Sequence, residues 1–368
     1  MNSMAIDRRS LLLGTVAAIG LRPASAFAAT PAVVFVSAAR RADGSFAIVL
    51  LSEDGALLRE VPLSARGHDI AVHVTSGRAV AFARRPGTFA VAFEKARVAE
   101  PVIFTAQEGR HFYGHGAFSA DGHLLYVSEN DIASARGVIG IYDVAGGYKK
   151  IGEHESYGLG PHEIILLGDG KTLSVANGGI DTVPEAGREN LNLDAMEPSL
   201  TFVDAGTGAL RAKHALSGDL KRLSLRHIAA DCTERVWFGG QWEGDMSSAP
   251  QLIGSAGMDM ALRLVASPAT GAIDLKGYIG SVAASRDGRF IAASAPKAGR
   301  IVYIDAATGS VVAESLLKDA CGIAHDDVAD FAATSGFGTL RHERVGGEVL
   351  SATELAGLAF DNHLRRVG

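Results

Sequence analysis

Short runs of alternating apolar and polar residues, bounded by Gly, Asp or Asn, predict an all-β chain. Three observations carry that expectation. Long helical periodicity is missing, glycine is abundant at 44 of 368 residues, and one frame of three short strands recurs. The clearest copy is YGHGAFSADGHLLYVSENDIASARGVIGIYD, residues 113–143. It reads as strands at 115–119, 124–128 and 138–142, with the Asp121-Gly122 turn joining the first two. Asp-Gly turns accept the positive backbone angles that tight hairpins require. The frame returns as PHEIILLGDGKTLSVANGG with SLTFVD, and as GSVAASRDGRFIAASAPKAGRIVYID. A frame of three or four strands returning every ~40–60 residues predicts the blades of a propeller.

The elements follow in order. Residues 33–37, 46–52 and 57–63 make three strands, so the first blade lacks its innermost member. Residues 358–367, LAFDNHLRRV, make one isolated strand at the other end and can supply it. Closing a blade with strands from both termini removes the exposed edge. First strands then begin near His68, His115, His162, His227, Ser281, Ile323 and His363, which makes seven blades. Two blades carry inserts between their second and third strands, at 178–198 and 242–250. Loops of that length are usually functional or mobile. No linker or low-complexity break divides the chain, so residues 30–368 are expected to form one propeller.

Residues 1–29 read as a leader. Asp7-Arg8-Arg9-Ser10-Leu11-Leu12 precedes a modest apolar run and small residues at 24–29. A twin arginine in that position is an address for export of a folded protein, so a periplasmic location is expected. An ordinary secretory signal is the alternative. After the leader no stretch approaches the ~18 apolar residues of a membrane span. Net charge is −6 with no basic run, which argues against nucleic acid as a partner. A monomer is expected. Cys232 and Cys321 are placed on opposite rims and are expected to be free thiols.

Aligned by frame, the first strands read GHDIAV, GHGAFS, PHEIIL, RHIAAD, GSVAAS, GIAHDD and NHLRRV. Five carry histidine at one register: His68, His115, His162, His227 and His363. Ser281 and Ile323 are the exceptions, and His325 follows Ile323 by two residues, on the same face of a regular strand. Six imidazoles are thus expected to face one channel. Neutral nitrogen donors converging from separate blades suit Cu, Zn, Fe or Ni, and iron or copper is the expected cofactor. The alternative is a polar, water-filled channel. Strict alternation turns Asp69 and Glu163 away from the channel and floors the site with Ile70, Ala117, Ile164, Ala229 and Ala283. Arg66, Arg110 and Arg226 lie near the same rim as candidates to bind an anionic group.

The remaining histidines, at 73, 111, 123, 154, 214 and 342, fall out of register and read as turn or surface residues. Glu129, Asn130, Asp131 and Asn177 follow second strands and read as loop caps, with oxygen ligation as the alternative. Trp237 and Trp242 read as packing between blades. The chain has no GxSxG, HExxH, phosphate-cradling loop or CxxCH.

A wider motif set then points to a family. RGHDIAVH (66–73), RHFYGHGAFSADG (110–122), YVSEND (126–131), VIGIYD (138–143), GPHEI (160–164), VANGGI (175–180), NLDAMEPSL (192–200) and LSLRH (223–227) resemble the exported propellers catalogued as domain of unknown function 1513. The resemblance covers nearly all of the chain after the leader. It implies no activity. It does imply imelysin-like iron-regulated proteins as partners, and hence handling of iron or another metal in the periplasm. The histidine register is also similar to the propeller of nitrous oxide reductase, whose channel histidines hold a copper cluster. That likeness extends to His68, His115, His162, His227 and His363 only, and no cupredoxin domain follows, so it implies geometry and not the reductase activity. Three functions stand open: a metal-binding propeller, an enzyme of lactonase or quinoprotein type acting on a small anion, and an interaction scaffold that docks a partner through the insert at 178–198.

Overall fold

A computed structural model describes residues 31–84, 87–181, 192–266 and 273–368. The expected leader and the middle of the insert at 178–198 lie outside the described residues. The alternating segments form seven four-stranded antiparallel sheets, the blades of a propeller. The inner strands are β4 (Gly67–His73), β8 (Arg110–Phe118), β12 (Pro161–Leu166), β16 (Leu223–Ala230), β20 (Ser281–Ala284), β24 (Ala320–His325) and β28 (Leu358–Arg366). Each touches the next around the ring, and β28 touches β4 to complete it.

Closure occurs as the two chain ends suggest. β1 (Phe35–Arg41) pairs with β28 on one side, with Phe35 opposite Arg366 and Ser37 opposite Leu364. On its other side it pairs with β2 (Phe46–Leu51), which pairs with β3 (Leu57–Leu63). The ring therefore closes through hydrogen bonds between segments more than 300 residues apart, with no open edge at the join.

Local chemistry explains the hairpins. Asp121, Asp169 and Asp287 each accept the backbone N–H two residues on, from His123, Lys171 and Arg289. The following glycines, Gly122, Gly170 and Gly288, take φ of 70°, 66° and 66°. Only glycine adopts that left-handed backbone without strain.

Apolar side chains of adjacent sheets interlock between blades. Phe82, Phe104, Phe112 and Tyr142 make one such layer, with ring centroids 5.4–6.2 Å apart. Trp237 is fully buried among Phe202, Phe238 and Ile291, and Trp242 packs against the same cluster. Both tryptophans are structural, as expected. The cysteines form no disulfide: Cys232 is exposed and Cys321 buried. Among the described residues no helix is long and apolar enough to cross a membrane.

Two of the expected surface histidines are not at the surface. β8 starts five residues before the expected strand, at Arg110, which carries His111 into the strand and buries it. His342 is buried as well, its Nδ1 2.6 Å from the Asp326 carboxylate. The acid compensates a polar group that alternation alone would have left outside.

Candidate metal centre

The inner strands are irregular where the histidines sit. Between Gly67 and Ile70 on β4 the strand advances three residues while its partner, β5 (Arg78–Ala83), advances two. The same excess of one occurs between Pro161 and Ile164 on β12 and between Leu225 and His227 on β16, and an excess of two between Phe112 and Gly116 on β8. On β28 an excess of two falls between Phe360 and Leu364, opposite Ser37 to Ala39. These are β-bulges, and an extra residue re-aims the side chains beside it. The carbonyls freed by the bulges are caught by hydroxyls of second strands. Ser128 Oγ donates to the carbonyls of His115 (3.2 Å) and His162 (2.9 Å), and Ser37 Oγ donates to that of His363 (2.6 Å).

Five imidazoles converge on the axis. Ring centroids lie 4.8 Å apart for His68–His115, 4.6 Å for His115–His162, 5.0 Å for His162–His227 and 4.8 Å for His227–His363. His363 is also 4.8 Å from both His68 and His115, so the arc folds into a cluster. All five are buried. Two triads have their ligand atoms within 4.8 Å of one another: His68, His115 and His162, and His115, His227 and His363. His115 belongs to both.

Asp69 and Glu163 correct the alternation argument. The bulges turn them inward, beside the histidines that precede them, instead of away. His115 Nδ1 lies 2.8 Å from Asp69 Oδ2, and His227 Nδ1 lies 3.2 Å from Glu163 Oε2. His68 Nδ1 makes the same contact at 3.2 Å with Asp361, and His363 Nδ1 is 3.8 Å from Asp69. Glu163 satisfies one backbone group besides, the N–H of Ile228 at 3.2 Å. Guanidiniums hold the carboxylates in turn. Arg365 donates to Asp69 (2.8 and 2.6 Å) and to Glu163 (2.6 Å). Arg84 and Arg66 donate to Asp361, each at 2.6 Å.

The electrostatics fix the protonation of the site. Burial pushes the His68 imidazole down to about 3, against the pull of Asp361. Burial likewise holds His162, His227 and His363 below the ordinary histidine value, and neighbouring imidazoles reinforce it. Burial alone would raise Asp69 and Glu163, but Arg365 overrides it, holding Asp69 well below the usual carboxylate range and Glu163 at about 2. An ionised carboxylate only accepts hydrogen bonds, so the Nδ1 of His68, His115 and His227 carries the proton, and the neutral rings of His68 and His227 keep a lone pair on Nε2. Carboxylate, histidine, then metal is the usual second-sphere order around a bound ion.

The donor set fits a metal. Nε2 of His115 and of His363 and Nδ1 of His162 are buried and make no hydrogen bond among the described residues. Buried polar atoms without a partner are costly, and a cation would draw on His115 together with His162 in one triad or with His363 in the other. A tetrahedral ion held at ~2.0–2.1 Å sets its nitrogens about 3.3 Å apart, so either triad closes on one with a small inward swing of the rings.

The other expected site residues divide. Arg226 is buried and, with His68, His162 and His227, borders a cavity of about 20 Å³ on the axis. Arg66 is half exposed and serves Asp361 instead. Arg110 is not brought to the cavity: β8 pairs it with Asp131 (2.7 Å) and Glu153 (3.1 Å). His325 does not join the five. Its charged neighbours are Arg366, Asp327, Arg286 and Asp326. Ile323 packs into an apolar cluster with Ala320, Phe331 and Ala333, which removes that position from the channel. Glu129 accepts hydrogen bonds from Tyr142 (2.5 Å) and Lys150 (2.8 Å), and the Asn177 amide serves Ser156, Ser199 and Thr201. Both are structural. Of the expected apolar floor, Ile70, Ala117 and Ile164 line a funnel of about 350 Å³ that also reaches Asp69 and Arg365.

Sequence reasoning missed Asp361, Arg84 and Arg365. The acids had a signal: GHD, PHE and DNH each set a carboxylate within two residues of a ring histidine. The arginines had none.

The family model described as "Protein of unknown function (DUF1513)" matches residues 61–367. No curated protein matches the chain. Among solved structures, hydrazine synthase of Kuenenia stuttgartiensis is similar with a TM-score of 0.59 at 12% identity, over 92% of this chain and 99% of that one. A functionally unknown protein from Desulfotomaculum acetoxidans DSM 771 is similar with a TM-score of 0.58 at 13% identity, over 90% of this chain and 100% of that one. At such identity the likeness is one of fold alone.

Proposed function

Because the chain belongs to the DUF1513 family of unknown function, we propose a role from the site itself: a periplasmic metal-binding propeller that handles iron or copper through its channel histidines. The observation that carries this reading is the convergence of five buried imidazoles, three with Nδ1 engaged by an ionised carboxylate. A cluster serving only to solvate a channel would not need its lone pairs aimed inward and held there. Imidazole donors favour Cu, Zn, Fe or Ni over Mg, Ca or Mn. The twin arginine at Arg8-Arg9 supports export in the folded state, in which a metal loaded inside the cell could travel with the protein. Imelysin-like iron-uptake proteins of that compartment are the partners this reading expects.

The test is metal analysis of protein purified from the periplasm beside its His115→Ala and His162→Ala variants. One equivalent or more in the parent is expected. His115→Ala should abolish it, since that ring serves both triads, and His162→Ala should weaken it. Equally low metal in all three proteins overturns the reading.

A further inference from the structure

A cavity of about 310 Å³ opens at the seam where strands from the two chain ends complete the ring. Phe46 and Phe360 give it apolar walls, and Arg40, Arg66 and Asp319 bring charge. None of the five ring histidines lines it. Its volume lies at the small-molecule end of ordinary ligand pockets, about 300–1,000 Å³. The guanidiniums differ in what they already hold. Arg66 engages Asp361 through Nε alone, and its side chain is 53% exposed. Asp361 also faces Arg84, so one carboxylate stands against two guanidiniums and that wall keeps a positive surplus. Arg40 is exposed and has no hydrogen bond or ion pair with any described residue.

Asp319 is the opposite case, a half-buried acid without an ion pair. Among the described residues its carboxylate has one hydrogen-bond partner, the Cys321 thiol, which reaches Oδ1 across 3.9 Å. Burial raises the Asp319 carboxyl above its ordinary value, against the pull of Arg66. The backbone there is left-handed, with φ of 52°, a conformation that residues other than glycine seldom adopt. The Asp319 carbonyl accepts the Gly336 N–H at 3.0 Å, and a Cβ at Gly336 would overlap Asp319 Oδ2. A strained backbone and a missing side chain thus make room for one acceptor in the cavity wall.

We propose that this seam pocket binds a small organic acid that also carries an amino or hydroxyl group. The carboxylate pairs with Arg40 and with the Nη end of Arg66, the carbon skeleton packs on Phe46 and Phe360, and the amino or hydroxyl hydrogen is donated to Asp319. A bare inorganic anion would leave Asp319 without a donor, and an apolar ligand would leave Arg40 without an acceptor. The pocket shares no imidazole with the metal centre, so it stands whether or not a metal binds there. Because its walls include both strands of the closing pair, an occupant that binds only the folded ring also stabilises the closure.

The test uses metal-free protein and three acids of one skeleton: L-glutamate with an ammonium group, L-2-hydroxyglutarate with a hydroxyl, and glutarate with neither. In titration calorimetry at least one of the first two should bind about tenfold or more tighter than glutarate, the worth of one charged hydrogen bond. The tighter of the two identifies the donor, and at saturation it should raise the unfolding temperature. Arg40→Met, at an exposed position, should fold and lose about tenfold or more in affinity. Asp319→Asn, whose side chain also tolerates a left-handed backbone, should remove the preference over glutarate. Lys171→Met, an exposed cation in the turn after β12, should match the parent, and so should His115→Ala, which disables both histidine triads. A parent that takes up no metal yet binds the acid sinks the metal reading and leaves this one standing. No binding of any of the three acids, glutarate binding as tightly as the other two, affinity unchanged in Arg40→Met, or affinity lost in His115→Ala overturns the proposal.

Discussion

Five consecutive blades of the ring donate a histidine to the axis, and the two between β16 and β28 donate none. The backbone alone does not make that difference. β24 carries a bulge between Ala320 and Ile323 like those of the histidine strands, yet Ile323 turns into the blade core. β20 pairs without irregularity from Ser281 to Ala284. The bulge is thus a scaffold that permits an inward pair of side chains. A site arises where the pair is an imidazole and a neighbouring carboxylate. The comparison separates what the fold needs, a ring of seven, from what chemistry needs, one lopsided arc.

Acid should break the comparison most strongly. His68, His162, His227 and His363 have folded values lowered mainly by burial, with His68 at about 3. A lowered imidazole contributes full stability above its unfolded value of about 6.5 and loses it as the pH falls toward the folded value. Each should cost about 1.4 kcal/mol per pH unit in that window. The carboxylates act later: Glu163, held at about 2, loses its contribution only as the pH falls below about 4. Urea unfolding of metal-free protein at pH 7, 6 and 5 should show a steep loss. His162→Gln with His363→Gln should flatten it, whereas Ser281→Ala should leave the slope intact. A slope insensitive to the histidine pair would place the acid sensitivity elsewhere.

Next in size is Asp69→Leu. It strips one acceptor from Arg365 and, among the described residues, the only one from His115 Nδ1. Breaking a buried ion pair on one side costs about 3–5 kcal/mol, and losing a second-sphere partner weakens metal binding about 10–100-fold. The equivalent residue in the silent arc, Val282, packs in the apolar core. Val282→Ala should cost less stability, about 1–3 kcal/mol, and leave metal content unchanged. Chemical denaturation and metal titration of the two variants separate the roles.

Much of the ring was legible because its signals are local and repeated. Asp-Gly turns, strand alternation and one histidine register recur every blade, and the orphan strand at 358–367 announced the closure. The inward turn of Asp69 and Glu163 was not legible. One extra residue reverses every face assignment beyond it, and a bulge leaves no compositional mark comparable to a turn. Contacts such as Asp69 with His115 join different blades, so no spacing within a blade reports them. Arg110 misled for the same reason: its cross-strand partner Asp131 was set by a strand start five residues earlier than alternation suggested. Arg84 lies on the far side of a hairpin from His68 and offers nothing to read.

The finest distinction between the arcs lies in the hydroxyl clamps. Ser128 on β9 (Leu124–Asp131) donates to the carbonyls of two ring histidines. Ser294 on β21 (Phe290–Ala295) makes the corresponding bond to the carbonyl of Cys321, 2.6 Å, in the silent arc. Both hydroxyls are buried, so Ser128→Ala and Ser294→Ala should each cost about 1 kcal/mol in thermal or urea unfolding. Only Ser128→Ala also frees the backbone beneath His115 and His162, two of the three rings in one triad. It should therefore weaken metal affinity severalfold while Ser294→Ala does not. Equal metal affinity in the two variants would mean that the bulge backbone is rigid without its clamp, and that the carboxylates alone orient the rings.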